Sequence, residues 1–321
     1  MKRFFGVVAA LTLGASLASA QAVQVDSGLA SYQKTSGVSG NINSVGSDTM
    51  NNMMALWGEA FLKMYPNLKI QVEGKGSSTA PPALIAGTAQ FGPMSRSMRA
   101  TEVDQFESKY GYKPLQLRTA YDALAVYVNK DSPVDKLTLA QVDAVFSKTR
   151  RRGFKQNVTT WGQLGLTGDW SSRPISLYGR NSASGTYGFF KEHTLGNGDY
   201  KDSVKEQPGS ASVVQGVTED RYGMGYSGIG YKTSGVKVVS LAEKDGGAYS
   251  DGNYEDVKSG KYPLSRFLYI YINKGPGKPV DPAVKEFCRL IFSKEGQEVV
   301  IKDGYLPLPA EIAKQELAKL E

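Results

Sequence analysis

The chain has 321 residues, a formal net charge of +7, one histidine and one cysteine. This length suits two domains, and the histidine and cysteine counts argue against an intrachain disulfide, a multi-histidine metal site and a Ser-His-Asp hydrolase. The basic residues are scattered except at Arg150, Arg151 and Arg152, and such a run is too short for the basic stripe that nucleic-acid binding needs. We therefore expect no metal or other cofactor and no nucleic-acid partner.

The N-terminus has the pattern of a secretory signal peptide. A basic start at Met1, Lys2 and Arg3 is followed by an apolar run over residues 4–17 and by small residues at 18–20. The run is shorter than the roughly 20 residues that a membrane-spanning helix needs. No cysteine stands directly after the small residues at 18–20, where it could carry a lipid. We expect residues 1–20 to be removed by cleavage near Ala20, and the mature protein to be periplasmic or secreted.

Residues 21–40 are polar and rich in Ser and Gly, which predicts a flexible N-terminal arm. From Ile42 onward, short apolar strands alternate with amphipathic helices, which indicates an α/β fold with mainly parallel sheets flanked by helices. Thr101 and Asp104 predict the cap of one helix. The elements predicted in this part of the chain are a strand ending near 43–46, a helix over 50–65, a strand over 68–72, and helices over 81–86 and 101–110.

Two long apolar strands enclose a second block of α/β pattern. They cover residues 120–128 and 267–272, and between them lie a helix over 139–146 and a strand over 174–178. A helical segment over 282–303 follows. This order indicates a domain inserted between two crossover strands, with lobe I formed by residues 41–121 and 271–321 and lobe II by residues 122–270.

Three glycine-rich turns lie between a predicted strand and a predicted helix, at residues 45–49, 73–79 and 179–186. A helix N-terminus carries unpaired N–H groups and a partial positive charge, so it favours a small anion. Glycine permits close approach of the backbone, and Ser or Thr adds a hydroxyl donor. The same residue types are also ordinary helix caps and loop residues. Because the turns contain no nucleotide-binding signature, they predict a candidate site for a small anion.

Several ordered motifs resemble those of the phosphate-binding proteins of bacterial phosphate ABC transporters. The resemblance extends from about Ser44 to the C-terminus and implies a two-lobed periplasmic-binding-protein fold. It implies a monomer that is not an enzyme, binds inorganic phosphate between the lobes and delivers it to an inner-membrane permease. The motifs are VGSDTM at 45–50, GKGSS at 74–78, FGPMSR at 91–96, YDALAV at 121–126, GRNSASGT at 179–186 and MGYSGIGY at 224–231.

The resemblance also implies which residues bind the ion. Thr49 and Ser77 would bind it through hydroxyl and backbone N–H groups, with Ser78 beside them. Arg180 would be the one cation that reaches the anion, since a guanidinium suits a phosphate edge. Ser184, Gly185 and Thr186 would close the other side of the site from the second lobe.

The chain departs from the family pattern at two positions. Ser95, followed by Arg96, stands where some members have an aspartate that accepts the phosphate proton, and Ser182 stands where an acidic residue often supports the arginine. Asp48 and Asp122, the latter expected to open a crossover strand, are the candidate proton acceptors. Binding of another oxyanion, sulfate or molybdate, and a secreted phosphatase are the alternative functions.

Overall fold

The structure of the protein is a computed structural model that describes residues 22–321. The predicted signal peptide, residues 1–20, lies outside the described residues. Within residues 22–321, no helix is both long enough and apolar enough to cross a membrane. In the same range, no group of three or more His, Cys, Asp or Glu side chains is arranged to hold a metal ion.

Helices and strands alternate along the described chain, which confirms the α/β class. The helices are α1 Asn51–Met64, α2 Ala80–Ala86, α3 Ala100–Tyr110, α4 Leu139–Phe146, α5 Gly185–His193, α6 Ser210–Glu219, α7 Tyr254–Lys258, α8 Pro282–Ile291, α9 Lys294–Lys302 and α10 Ala310–Ala318. The strands are β1 Gly40–Val45, β2 Leu68–Glu73, β3 Gly92–Met94, β4 Leu115–Asn129, β5 Lys136–Thr138, β6 Ser176–Arg180, β7 Val204–Gln207, β8 Gly223–Gly228, β9 Val236–Val238, β10 Ser240–Ala242 and β11 Ser265–Ile272.

Parallel pairs join β1 with β2, β5 with β10, and β6 with both β7 and β8. Antiparallel pairs join β11 with β3 and β4, and β4 with β8 and β9, so the sheets are mixed, whereas the sequence predicts mainly parallel ones. The largest sheet has the order β3-β11-β4-β8-β6-β7, with β9 also paired to β4. A parallel bridge from Ser44 to Phe91 brings β1 beside the residue that precedes β3. The carboxyl ends of β1, β2 and β6 each lead into a turn that precedes a helix, which is where the sequence predicts the anion site.

The two long strands predicted as crossovers, β4 and β11, pair antiparallel to each other and run through the centre of the largest sheet. The first part of β4 pairs with β11, and from Leu124 to Val128 it pairs with β8 instead. Asp122 lies just before this change of partner, opposite Arg266 of β11. The expectation that Asp122 opens the strand is wrong, because β4 begins seven residues earlier, at Leu115.

Two local predictions differ from the structure. The cap of α3 is formed by Glu102, whose carboxylate accepts a hydrogen bond from the Arg99 N–H at 2.8 Å, because the helix begins at Ala100 and Thr101 already lies inside it. The single helix predicted over residues 282–303 is two helices, α8 and α9. The break occurs at Ser293, whose hydroxyl caps α9 by accepting a hydrogen bond from the Gly296 N–H at 3.2 Å.

The hydrophobic core fixes α1 at one side of the site. Trp57 and Phe61 of α1 are fully buried, and the ring of Phe61 packs edge-on against Phe287 of α8 with a centroid distance of 5.2 Å. The Trp57 indole N–H donates to the carbonyl of Gly296 at 2.8 Å, so its polar group is also satisfied. This packing holds the N-terminus of α1, and the turn before it, in one position relative to the sheet.

The segment predicted as a flexible arm contacts the C-terminal helices over its described part. Leu29 is buried, the Lys294 N–H donates to the Ala30 carbonyl at 2.9 Å, and the Tyr32 N–H donates to a carboxylate oxygen of Glu295 at 2.7 Å. The Tyr32 hydroxyl also contacts Glu286 at 2.8 Å. These contacts attach the segment to the α8–α9 side of the molecule.

The arginine cluster contacts the C-terminal end of α5. The Arg151 guanidinium donates to the Gly196 carbonyl at 3.2 Å, and that of Arg152 donates to the carbonyls of Thr194, at 2.8 Å, and His193. Cationic donors at a helix C-terminus satisfy its free carbonyls and complement its dipole. The cluster therefore stabilises the helix whose other end lies at the candidate site.

Candidate functional site

Four hydroxyl groups from separate parts of the chain form one buried cluster. The Thr49 and Thr186 hydroxyls are 2.9 Å apart, Thr186 lies 3.4 Å from the Ser95 hydroxyl, and Ser95 lies 3.3 Å from the Ser77 hydroxyl. Each of these residues is at most 1% exposed. The Ser95 N–H also donates to the Ser77 hydroxyl at 3.0 Å. The cluster is thus a buried group of hydroxyls, each of which can donate one hydrogen bond.

The turns before α1 and α5 bring this cluster together. Thr49 lies in the short turn Asp48–Met50 that precedes α1, and Thr186 is in the first turn of α5. The Ser184 hydroxyl caps α5 by accepting hydrogen bonds from the N–H groups of Thr186, at 3.1 Å, and Tyr187, at 3.3 Å. Ser184 therefore orients the helix N-terminus, and its hydroxyl is directed at its own helix.

Two glycines permit the close approach of these turns. Gly76 has φ +116°, and a Cβ at this position would lie 2.6 Å from the Ala183 carbonyl oxygen. The Ser78 N–H donates to the same carbonyl at 3.1 Å, so this half-buried residue links the turn before α2 to the turn before α5. A Cβ on Gly185 would lie 2.7 Å from the Ser95 hydroxyl and closer still to that of Ser77. Larger residues at either position would displace the cluster.

Arg180 is 1% exposed and lies at the carboxyl end of β6. Its guanidinium is 3.2 Å from the Asp48 carboxylate, and it donates to the Ser210 hydroxyl at 2.7 Å and to the Pro208 carbonyl at 3.2 Å. Burial lowers the pKa of Arg180, and the Asp48 charge opposes that change. The buried Nε has no hydrogen-bond partner among the described residues. A buried donor without a partner is costly and can bind an oxygen of an anion.

The carboxylate that supports Arg180 comes from Asp48. Ser182, where the resemblance places a supporting acidic residue, is exposed. Asp48 Oδ2 also accepts a hydrogen bond from the Ser210 N–H at 2.7 Å, and its carbonyl accepts one from the Tyr231 hydroxyl at 3.0 Å. Asp48 therefore links the turn before α1 to the start of α6.

A second buried arginine, which lies outside the predicted motifs, contacts the hydroxyl cluster directly. Arg266 of β11 donates from Nη2 to the Thr186 hydroxyl at 2.9 Å and from Nη1 to the Ser95 carbonyl at 2.8 Å. It also binds Asp122 through Nε at 2.8 Å and Nη2 at 2.7 Å. The expectation of one arginine at the site thus omitted Arg266. Its only sequence signal was a charge immediately before an apolar strand.

The structure brings Asp122 near the cluster through Arg266, but it directs Arg96 elsewhere. Asp122 is fully buried, and its second oxygen accepts a hydrogen bond from the Ile229 N–H at 3.0 Å. Both terminal nitrogens of Arg96 donate to the Glu102 carboxylate at 2.7 Å, so Arg96 is held by the first turn of α3. The charge of Arg96 is therefore neutralised away from the cluster.

A cavity of about 620 Å³ opens beside the cluster and has Arg266 in its wall. Aromatic side chains of α5 and β11, including Phe189 and Phe267, line it together with Arg99 and Lys191. The Arg266 guanidinium lies 5.3 Å from the centre of the Phe189 ring. The cavity therefore lies next to Arg266, whose side chain is itself 2% exposed.

Comparison with protein families identifies the class to which this fold and site belong. A model described as the PBP superfamily domain matches residues 31–295, which is most of the chain. The chain therefore belongs to the PBP superfamily, whose members share the two-lobed fold with mixed α/β sheets flanked by helices.

Comparison with individual proteins narrows this assignment. The chain is 55% identical over 320 residues to the phosphate-binding protein PstS of Pseudomonas aeruginosa, covering 100% of this chain and 99% of that protein. It is 28% identical over 286 residues to PstS of Staphylococcus haemolyticus, covering 88% and 85% of the two chains. Within the superfamily, the chain is a member of the PstS family.

Solved structures agree with the fold. An ABC-type phosphate transport receptor from Vibrio cholerae superposes with a TM-score of 0.63 at 22% identity, over 83% of this chain and 100% of that one. A phosphate binding protein from Stenotrophomonas maltophilia superposes with a TM-score of 0.64 at 14% identity, over 88% and 94%. At sequence identities this low, the structural similarity supports the assignment of the fold alone.

Proposed function

We propose that the protein binds inorganic phosphate in the hydroxyl cluster and delivers it to the permease of an ABC transporter. The observation that carries this proposal is the buried cluster of Thr49, Ser77, Ser95 and Thr186, with the Arg266 guanidinium hydrogen-bonded to one of its members. The names of the PstS relatives support the same ligand.

The chemistry of the cluster suits a tetrahedral oxyanion that carries a proton. Each hydroxyl has one donor and two acceptor positions, so exchanging the hydroxyl–hydroxyl contacts for phosphate oxygens leaves no donor unused. A hydroxyl can also accept the hydrogen of monohydrogen phosphate, which a site made only of N–H donors could not do. Ser95 therefore supplies an acceptor at the position where a carboxylate would otherwise stand.

Other predicted site residues provide hydrogen-bond donors that stabilise the negative charge of the ion. The free Nε of Arg180 and the backbone N–H groups at the start of α5, beginning with Gly185, are donors that suit an anion. Asp48 and Asp122 each pair with an arginine, so the site carries little net charge before the ion binds. Fixed dipoles and paired arginines then compensate for the water that the ion loses.

We further propose that residues 41–121 and 271–321 form lobe I and residues 122–270 form lobe II. The change of partner of β4 after Ala123, from β11 to β8, lies beside the boundary at 121/122 and supports the division. Hinge bending in β4 and β11 would bring Thr49 toward Thr186 when the ion binds.

The cellular setting follows from the family and from the N-terminal sequence. We propose that this protein is a binding protein rather than an enzyme and that it acts in the periplasm as a monomer. Cleavage near Ala20 would release it there. It would require no cofactor and no nucleic acid, and its partner would be the inner-membrane permease.

Equilibrium dialysis with radiolabelled phosphate tests the site. Thr186→Val and Thr49→Val each remove a hydroxyl at nearly constant volume and should weaken binding about tenfold or more, because oxyanion oxygens would lose a buried donor. Thr88→Val is the matched control, since Thr88 is exposed and its hydroxyl donates to the nearby Ala83 carbonyl, away from the cluster. Unchanged binding by both site variants would contradict the proposal.

A further inference from the structure

Arg266 joins three parts of the site through one side chain. Its guanidinium reaches Ser95 after β3, Asp122 on β4 and Thr186 on α5, all at 2.7–2.9 Å. The side chain is 2% exposed and that of Asp122 is fully buried. This geometry is fixed by strand register, because Arg266 and Asp122 face each other on the antiparallel crossover strands.

The ion pair with Asp122 neutralises most of the positive charge that Arg266 would otherwise bring to the anion site. Nε and Nη2 both bind the same Asp122 oxygen, and the other oxygen accepts the Ile229 N–H. Because the carboxylate is held by three donors, it neutralises the guanidinium in a fixed orientation. The contribution of Arg266 to anion binding must therefore come mainly from the direction of its hydrogen bonds.

Those hydrogen bonds act on two members of the cluster. The Thr186 hydroxyl accepts from Arg266 Nη2, so its only hydrogen is free to point toward Ser95, toward Thr49 or toward an ion in the cluster. Without Arg266, the same hydroxyl could rotate and present a lone pair to the anion. The bond from Nη1 to the Ser95 carbonyl fixes the backbone that carries the neighbouring hydroxyl.

We propose that Arg266 is a positioning residue of the anion site, which acts through Thr186 and keeps its hydroxyl oriented as a donor, while Asp122 neutralises and orients Arg266. This inference rests on the proposed function, and it adds a residue pair on the crossover strands to the ligand set. It also gives a role to the buried charged pair on the two crossover strands.

A double-mutant cycle measured by phosphate titration tests the inference. Arg266→Lys keeps a cation beside Asp122 but loses the planar donor fork, and it should weaken binding about 10-fold or more. In a Thr186→Val background the same change should cost less than about twofold, because the hydroxyl through which Arg266 acts is gone. An equal loss in both backgrounds would overturn the inference and show that Arg266 acts independently of Thr186.

A second variant keeps the inference testable if Arg266→Lys does not fold. Asp122→Asn leaves Arg266 in place without its orienting charge, and its effect should also shrink in the Thr186→Val background. If Asp122→Asn weakens binding equally in both backgrounds, the inference is contradicted.

The cycle is run with phosphate, and with sulfate if the wild type prefers it. If the protein prefers sulfate and the effects of the Arg266 and Thr186 changes are coupled, only the assignment of phosphate is overturned. If phosphate binds but the two effects are independent, only the role of Arg266 is overturned. If neither ion binds, both proposals are overturned.

Discussion

The Asp48 carboxylate accepts a hydrogen bond from the Ser210 N–H at 2.7 Å, so a residue that precedes α1 caps the N-terminus of α6. The residue in the N-cap position of α6 itself is Gly209, which has no side chain to serve as a cap. The same Asp48 oxygen lies 3.2 Å from Arg180. A single carboxylate thereby connects the two parts of the chain that we assign to different lobes.

We expect Asp48→Ala to speed phosphate release about fivefold, because it removes a charged helix cap that joins the two proposed lobes. Asp48→Asn keeps an acceptor for the Ser210 N–H and should have a smaller effect. Stopped-flow dissociation measures both rates. Asp135→Asn is the control, since this exposed carboxylate pairs with Lys237 away from the site. Tighter binding by both Asp48 variants would instead show that Asp48 competes with the ion for Arg180.

Gly185→Ala should weaken phosphate binding about 10- to 100-fold, because the added Cβ would overlap the hydroxyls of Ser77 and Ser95. Gly188→Ala in the same helix is a matched control, since its Cβ would lie 3.5 Å from the nearest atom, in Arg96. The control should keep wild-type affinity and raise the free energy of unfolding by about 0.5–1 kcal/mol. Calorimetric titration and thermal unfolding check both, and equal affinities for the two variants would refute the steric explanation.

Asp303→Asn should raise the melting temperature at pH 7 by a few degrees. Burial raises the pKa of Asp303 to about 6, and its position just after α9 puts a negative charge at a helix C-terminus. The folded state therefore binds this proton more tightly than the unfolded state, whose carboxyl has a pKa near 3.8. The stability associated with protonated Asp303 is present below pH 3.8 and is lost as the pH rises through 6.

The advantage of Asp303→Asn should consequently be largest above pH 6 and disappear by about pH 4. Melting curves across this range measure it, with Asp245→Asn as an exposed control that should show no such dependence. A pH-independent difference between the wild type and Asp303→Asn would rule out titration of Asp303 as the cause.

Cys288 should not react with a water-soluble disulfide reagent in the folded protein. The thiol is fully buried in α8, and desolvation raises its pKa, so little thiolate forms at neutral pH. One thiol per chain should become reactive after unfolding in guanidinium. Rapid reaction of the native protein would show that α8 opens readily.

Much of the fold could be predicted from local pattern. The strand β2 over Leu68–Glu73 and the helix α4 over Leu139–Phe146 lie close to their predicted ranges, because apolar period and turn residues are local signals. The break at Ser293 leaves two local signals that the prediction of one helix did not weigh: serine is a common helix cap, and the polar residues 293–298 interrupt the apolar period.

The candidate site could be predicted only in part. Thr49 and Ser77 lie between a strand and a helix, and Thr186 lies in the first turn of α5. The structure brings their hydroxyls together with that of Ser95. The contacts of Arg266 with Asp122 and of Asp48 with Arg180 depend on strand register and on contacts between distant segments. Such long-range geometry leaves no periodic mark in the sequence. The pairing of Arg96 with Glu102 similarly depends on where α3 begins.

Isothermal titration of the mature protein with phosphate, followed by the same titration with sulfate, tests the central claim most directly. A cluster of hydroxyls that can both donate and accept should bind one phosphate per chain and prefer it to sulfate, which has no proton to share with an acceptor. The heat of phosphate binding should be greatly reduced in Thr186→Val. Absence of phosphate binding, or tighter binding of sulfate, would contradict the account.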